Sequence, residues 1–473
     1  MVAIPSPGTT GNDIIVPGDG DDTLYGDPFD VSPLVKGRGG NDSLSATGQN
    51  NRLFGDANDM SGDGRGGNDR LSVTGDYNAM AGDAFSMAGD ARGGNDSVTA
   101  AGNFNSLYGD AASLDGDGRG GNDHVSVSGD HNALFGDAHD IIGDARGGND
   151  RLAVTGSYNY LQGDSFAMRG DARGGNDSVT VTGIAGTFAG NAYGDAALMY
   201  DQARGGNDIL TATNGGQISG DGSDMLDHAR GGNDVLTARG ELYGAFVVGD
   251  SLVTLRGDAR GGNDILIGIA DGAGPYSGHD LVGDSSVMDD AARGGDDSLT
   301  ASGGLNRLHG DAILMFGDTV GGDDFLAAVG DENRLFGDAR RMNENAVGGD
   351  DRLIGGNGDD LLVGDAQTMA ASARGGNDRL WGDHVGAHAG GADTFLFAGH
   401  FAKDTVLDFR PREGDQLQLA GFGLTDVSQL HATAAHGSTV IDVGASIGEA
   451  AHVDTIRLEG FHQTLTNADF LFT

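Results

Sequence analysis

The chain has 473 residues, 71 acidic against 28 basic, and a formal net charge of -43, which excludes nucleic acid and anionic membrane surfaces as general partners. It contains no cysteine, so disulfide frameworks and thiolate metal sites are excluded. No apolar run of about 18 residues is present to span a membrane as a helix. Such a charge repels itself in a compact state unless cations neutralise part of it, yet hydrophobic residues make up 37% of the chain and recur at regular positions. The combination predicts a fold conditional on bound cations rather than disorder.

The N-terminal stretch MVAIPSPGTTGNDIIVPGDGDD lacks the basic region and long apolar run of a secretory signal peptide. The first predicted elements lie in residues 11–27, GNDIIVPGDGDDTLYGD, which place Asp13 and Asp22 nine residues apart. From residue 39 onward Gly-Gly-Asn-Asp or Gly-Gly-Asp-Asp occurs thirteen times. Its closing aspartate falls at Asp42, Asp69, Asp96, Asp123, Asp150 and Asp177, always 27 residues apart. Asp208, Asp234, Asp264 and Asp297 then follow at spacings of 31, 26, 30 and 33, the strict spacing returns through Asp324 and Asp351, and Asp378 closes the last motif. A fixed period in this range is the signature of a solenoid, one repeat per coil, with insertions in loops. Glycine permits unusual backbone angles and aspartate supplies hard oxygen ligands, so the reading is all-β: a calcium-loaded parallel β-solenoid with coils of about 27 residues.

Three apolar columns run through the repeat: Leu44, Leu71, Val98, Val125, Leu152 and Val179; Leu53, Met80, Leu107, Leu134 and Leu161; Met60, Met87, Leu114, Ile141 and Met168. Short strands are expected to carry the first two columns, stacked about 4.8 Å apart, and a long Asp-rich loop the third. Asn51, Asn78, Asn105, Asn132 and Asn159 mark a short turn, either as a stacked amide ladder or simply as good turn residues. Besides the motif aspartates, a second column, Asp63, Asp90, Asp117, Asp144, Asp171 and Asp258, could complete a coordination sphere of six to eight oxygens. A third column, Asp56, Asp83, Asp110, Asp137 and Asp164, ranks below these, since a turn cap explains it as well. The turn before each motif carries arginine: Arg65, Arg92, Arg119, Arg146, Arg173, Arg204, Arg230, Arg260, Arg293 and Arg374. These either pair with aspartates of the next coil, in place of calcium, or form an outward basic stripe for an anionic polymer.

The nine-residue spacing of Asp13 and Asp22, repeated in GGDDRLIGGNGDDLLVGD at Asp351 and Asp360, resembles the nonapeptide of the RTX (repeats-in-toxin, haemolysin-type) proteins, which build a parallel β-roll around calcium. The resemblance implies that turn carbonyls and the motif aspartates of neighbouring coils share each ion; it carries over best to Asp13, Asp22, Asp351, Asp360 and the aspartate of each Gly-Gly-Asn-Asp. The arginine column departs from the family's motif. From about Gly390 the strands become richer in aromatics and end in Asp-Phe-Leu-Phe, Asp469 to Phe472. This region resembles the C-terminal region of serralysin-type RTX exoproteins, which caps the roll and carries an uncleaved type I secretion signal. The expected organisation is therefore RTX-like repeats at 1–40, the 27-residue solenoid at 41–389 and a C-terminal β cap at 390–473.

No H-E-x-x-H or G-x-x-x-x-G-K sequence is present, and no enzyme is expected. His384 and His388 form an H-x-x-x-H in a Gly-rich stretch where a helix is improbable, and Trp381 reads as packing. The expected protein is secreted through the type I machinery to the cell surface or extracellular space. It folds on calcium there and serves a structural or interaction role in a layer, matrix or filament, with itself as a partner. The alternative is an extracellular polysaccharide-binding or polysaccharide-modifying module, with an anionic polysaccharide as partner; few aromatics are expected to recur at 27, which counts against it. Thr74, Thr155 and Thr182 are interrupted by Ala101 and Ser128, which discounts an ice-binding row.

Overall fold

The computed structural model describes residues 9, 11–16, 20–27, 37–184, 187–240, 244–270, 278–383, 390–448 and 454–473, and the backbone of 6–7. His384 and His388 lie outside the described residues. The chain divides into two units, Met1–Leu236 and Thr237–Thr473. Each is a parallel β-solenoid, and among the described residues the one α-helix is Val443–Ile447.

In the first unit every regular coil carries three strands. In the coil around Leu107 they are Ser97–Ala101, Ser106–Tyr108 and Ala111–Gly116. Each pairs in parallel with its counterpart 27 residues on, Val98 with Val125, Leu107 with Leu134 and Leu114 with Ile141. Alternation makes the first strand: Val98 and Ala100 point inward while Ser97, Thr99 and Ala101 face out. The three apolar columns become three stacks of fully buried side chains inside the coils. Like packs on like in each stack, so one residue's shape fits the next at every level.

The third column corrects the expectation of a loop. Met60, Met87, Leu114, Ile141 and Met168 lie on strands, such as Ala84–Gly89 and Ala138–Gly143, in a third sheet. Their Gly-, Ser- and Asp-rich neighbours have little β propensity. A coil above and a coil below nonetheless offer every N–H and C=O of the segment a partner, and that decides its conformation.

The asparagine column is a ladder. Asn78 donates from its backbone N–H and its side-chain amide to Oδ1 of Asn105, at 2.9 and 3.0 Å, and Asn105 does the same to Asn132 at 2.8 and 3.2 Å. These side chains are buried. Asn105→Ala would strip Asn78 of its acceptor, and is expected to cost about 2 kcal/mol, the scale for orphaning a buried donor. Thermal unfolding in calcium measures it; an unchanged midpoint would make the ladder incidental to stability.

In the second unit the same three sheets recur. Leu299, Leu308 and Met315 stand in register with Leu326, Leu335 and Met342. The longer spacings arise mainly between the first and second strands of a coil, as between Ile265–Ala270 and Asp280–Val282, with one further residue taken up as a bulge in Ser251–Gly257. The last segment extends two of the sheets in parallel: in one, Thr394–Ala398 pairs with Leu361–Val363, Gln416–Ala420 with Thr394–Ala398, and Phe470–Phe472 with Gln416–Ala420; in the other, Lys403–Val406 pairs with Arg379–Asp383 and Thr455–Leu458 with Lys403–Val406. Antiparallel pairing appears only here among the described residues, where Ser438–Asp442 lies between His431–Ala435 and Thr455–Leu458. Trp381 stands on the outer face in register with Ile354, with the Arg352 guanidinium 4.8 Å from its ring centre.

Candidate metal centre

Each coil passes from its third strand to the next coil's first strand through the Gly-Gly-Asn-Asp turn. Two adjacent residues of this turn bond in opposite directions. The N–H of Asp96 donates to Oδ1 of Asp123, one coil on, at 2.7 Å, while the N–H of Asn95 donates to Oδ1 of Asn68, one coil back, at 2.8 Å. The same staple joins Asp69 to Asp96 and Asn122 to Asn95. The motif aspartates are thereby stacked and buried.

Facing them is the Gly-Asp that follows the second strand. Asp56, Asp83, Asp110, Asp137 and Asp164 are all fully buried. Each accepts the N–H of the second motif glycine eleven residues on; Gly94 donates to Asp83 Oδ2 and Gly121 to Asp110 Oδ2, both at 2.9 Å. Two carboxylate rows therefore converge, and one motif aspartate sits between two aspartates of the facing row. Asp56, Asp69 and Asp83 each bring an oxygen within 4.8 Å of the others, as do Asp83, Asp96 and Asp110, then Asp110, Asp123 and Asp137, then Asp137, Asp150 and Asp164; Asp27, Asp42 and Asp56 make the first such group.

The hydrogen bonds leave oxygens over. Oδ2 of Asp42, Asp69, Asp96, Asp123, Asp150 and Asp177 and Oδ1 of Asp56, Asp83 and Asp110 are buried without a protein donor. A buried carboxylate oxygen with no donor is costly, and a row of them more so. Burial, and then the Asp56 carboxylate, push Asp69 up to about 9, and burial pushes Asp56 up to about 8. For Asp96 burial, then Asp69 and Asp110, drive the carboxyl well above the usual range; for Asp123 burial, then Asp110 and Asp150, do the same. Every member of these five groups is an aspartate.

Glycine keeps the space between the rows open. A Cβ on Gly82 would overlap both the Gly109 carbonyl oxygen and Asp96 Oδ2, and one on Gly109 would overlap the Gly136 carbonyl and Asp123 Oδ2. Carbonyl and carboxylate oxygens thus approach one point in each coil. The groups could hold a metal ion, and with oxygen as the only donor type they suit a hard divalent cation. In the second unit the pattern repeats: Oδ2 of Asp297, Asp324, Asp351 and Asp378 and of Asp284, Asp311 and Asp338 are buried and unpartnered.

The other sequence candidates fall elsewhere. Asp13 begins the motif row, its N–H on Asp42 Oδ1 at 2.6 Å. Asp208, Asp234 and Asp264 are buried in that row. Asp22 and Asp360 stand instead in the asparagine ladder: Asp22 N–H donates to Asn51 Oδ1 at 3.1 Å, and Asn333 N–H to Asp360 Oδ1 at 2.7 Å. The nonapeptide segments therefore put aspartate at a corner that regular coils fill with asparagine. The expected second ligand column is displaced altogether. Asp63, Asp90, Asp117, Asp144, Asp171 and Asp258 are exposed, and the first five line a surface groove with Arg65, Arg92, Arg119, Arg146 and Arg173. The column ranked last in the sequence, Asp56 to Asp164, takes their place in the buried groups. These five arginines are also exposed, and among the described residues they form no ion pair with an aspartate, so the pairing that would replace calcium does not occur there. No protein-family model and no curated protein matches the chain.

Proposed function

We propose that the protein is a calcium-binding structural protein of the extracellular space, an RTX-type solenoid that folds as calcium fills its carboxylate rows. One observation carries this reading: in coil after coil, buried aspartate oxygens converge without a donor. Asp69, Asp96, Asp123 and Asp150, with Asp56, Asp83, Asp110, Asp137 and Asp164, would hold the ions, and the carbonyls of Gly82, Gly109 and Gly136 would add neutral oxygens. Calcium fits better than magnesium, because it accepts six to eight oxygens in irregular geometry and sheds water readily. Zinc would draw on nitrogen or sulfur ligands that the groups lack. The bound ion would supply charge that lets the carboxylates remain ionised while buried.

Calcium is scarce inside cells and reaches about millimolar levels outside, in the affinity range of extracellular modules. A chain of net charge -43 would stay expanded and threadable through a type I exporter, then fold on release. Sheet stacks of this kind suit a surface layer, matrix or filament. The exposed row Arg65 to Arg173 favours a second reading, binding of an anionic polysaccharide along the groove. Calcium added to metal-free protein is expected to produce a β circular-dichroism spectrum and a compact small-angle scattering profile. The same compact profile in chelator would refute calcium-dependent folding.

A further inference from the structure

On the turn between first and second strands, four successive coils of the first unit place an aromatic ring at one register: Tyr77, Phe104, His131 and Tyr158, each 27 residues from the last. Their centroids stack at 5.0, 4.9 and 5.2 Å with interplanar angles of 3, 24 and 24°. Phe188 continues the row at 6.1 Å, tilted by 50°. Tyr77, Phe104 and Tyr158 are 54, 46 and 55% exposed, so the row forms an apolar band. All four residues have left-handed backbone, with φ of 59, 57, 59 and 56°. Asparagine and glycine reach that region at least cost, and Asn50 fills the same register one coil earlier at φ 59°. Leu305 and Glu332 take the same angle at the equivalent turn of the second unit, so the exposed rings, and not the backbone, set this row apart.

The turn holds the rings at coil spacing. The residue before each ring is tied to the next coil: Asp76 Oδ1 accepts from the Asn103 N–H, Asn103 Oδ1 from the Asp130 N–H, and Asp130 Oδ1 from the Ser157 N–H, each at 2.7 Å. Exposed Thr74, Ser128 and Thr155 lie three residues before three of the rings. No lysine or arginine occurs in these turns. The rings stack face to face along the row, so the band offers ring edges bordered by hydroxyls and carboxylates.

We propose that this ladder binds an extended neutral polysaccharide. Sugar rings can lay their apolar C–H faces across the exposed edges of the stacked rings and turn hydroxyls to carboxylates and hydroxyls, the two chemistries that lie side by side here. Asp76 and Asp130 repel an anionic glycan. A second copy of the chain brings its own -43. Four half-exposed rings also offer only roughly 400 Å², against roughly 800 Å² per partner in a stable interface. The proposal deepens the extracellular reading above but does not depend on which cation fills the coils.

The test is native affinity electrophoresis, with calcium present, in gels containing hydroxyethylcellulose, xyloglucan, galactomannan or dextran, and alginate as the anionic comparison. The variant is Tyr77→Asn with Phe104→Asn and Tyr158→Asn, which introduces the residue that Asn50 already places at this register. At least one neutral glycan is expected to retard the parent chain, and the variant's apparent affinity to fall about tenfold or more with its β spectrum and melting midpoint unchanged. If the triple variant loses its β spectrum, Phe104→Asn alone carries the comparison. Retardation by no neutral glycan, by alginate alone, or equally for parent and variant overturns the proposal. So does parent self-association in sedimentation velocity that the variant loses, which assigns the band to a second copy. A parent chain that stays folded in chelator and still binds would retain this proposal while removing the calcium reading.

Discussion

Gly121→Ala is expected to disrupt the first unit's coils, while Gly11→Ala is tolerated. Both glycines hold the same place in the Gly-Asn-Asp turn, and the row Gly11, Gly40, Gly67, Gly94, Gly121 passes from coil to coil. A Cβ on Gly121 would overlap the Gly94 carbonyl, which is main chain and has no rotamer by which to retreat. A Cβ on Gly11 meets only the Thr9 hydroxyl, at 3.8 Å. Neither residue has the left-handed φ that only glycine tolerates well, so the difference is one of packing and not of backbone strain. Forcing two backbones apart lies at or beyond the top of the overpacking range, about 3 kcal/mol. It would also pull the Asp96 and Asp123 carboxylates out of register. Gly11→Ala is expected to stay within about 1 kcal/mol of the parent. Thermal unfolding in saturating calcium reads both, and equal midpoints would mean that the coils are less tightly stacked than the Gly94–Gly121 approach requires.

That contrast also bears on how far the sequence could be read. The apolar columns were legible because identical stacking demands identical side chains at a fixed interval, and Leu71, Val98 and Val125 keep that interval without exception. The third strand was not, because Ala88, Gly89 and Asp115 carry no β signal of their own; their pairing partners lie 27 residues away. The carboxylate rows were half legible. Asp63 and Asp56 each follow a glycine and recur at the same period, so spacing alone could not rank them. The distinction lies in the glycine: Gly62 and Gly89 take left-handed angles and turn the chain outward, whereas Gly55 and Gly82 are small so that a carbonyl and a carboxylate can approach. The ring ladder was missed because its register is written Tyr, Phe, His and Tyr, four side chains with one shape in common, at a position where Asn50 sets the expectation of an ordinary turn.

Metal-free protein is expected to be more stable near about pH 5 than near about pH 8, and calcium to reverse that order. Burial pushes Asp42 and Asp164 up to about 6, Asp56 up to about 8 and Asp69, which the Asp56 charge also raises, up to about 9. Asp150 rises well above the usual range through burial, and Asp164 and Asp110 add to it. In the unfolded chain the same groups titrate near ~4. Between those values the folded, metal-free chain holds protons that the unfolded chain has released, so stability falls as pH rises. The contribution is complete below about pH 4 and is lost as pH climbs through the window from about 6 to 9. Calcium inverts the slope because an ion must displace those protons: each step upward in pH removes a competitor and strengthens the bound, folded state. The β circular-dichroism signal at the two pH values, with chelator and with calcium, gives the four numbers needed. Metal-free protein with more β signal near about pH 8 would mean that the rows carry their charge without penalty, and the buried, unpartnered oxygens of Asp69 and Asp96 would then need a different explanation. A calcium addition near about pH 6 that releases no protons would say the same from the other side, since ions entering protonated rows cannot leave those protons in place.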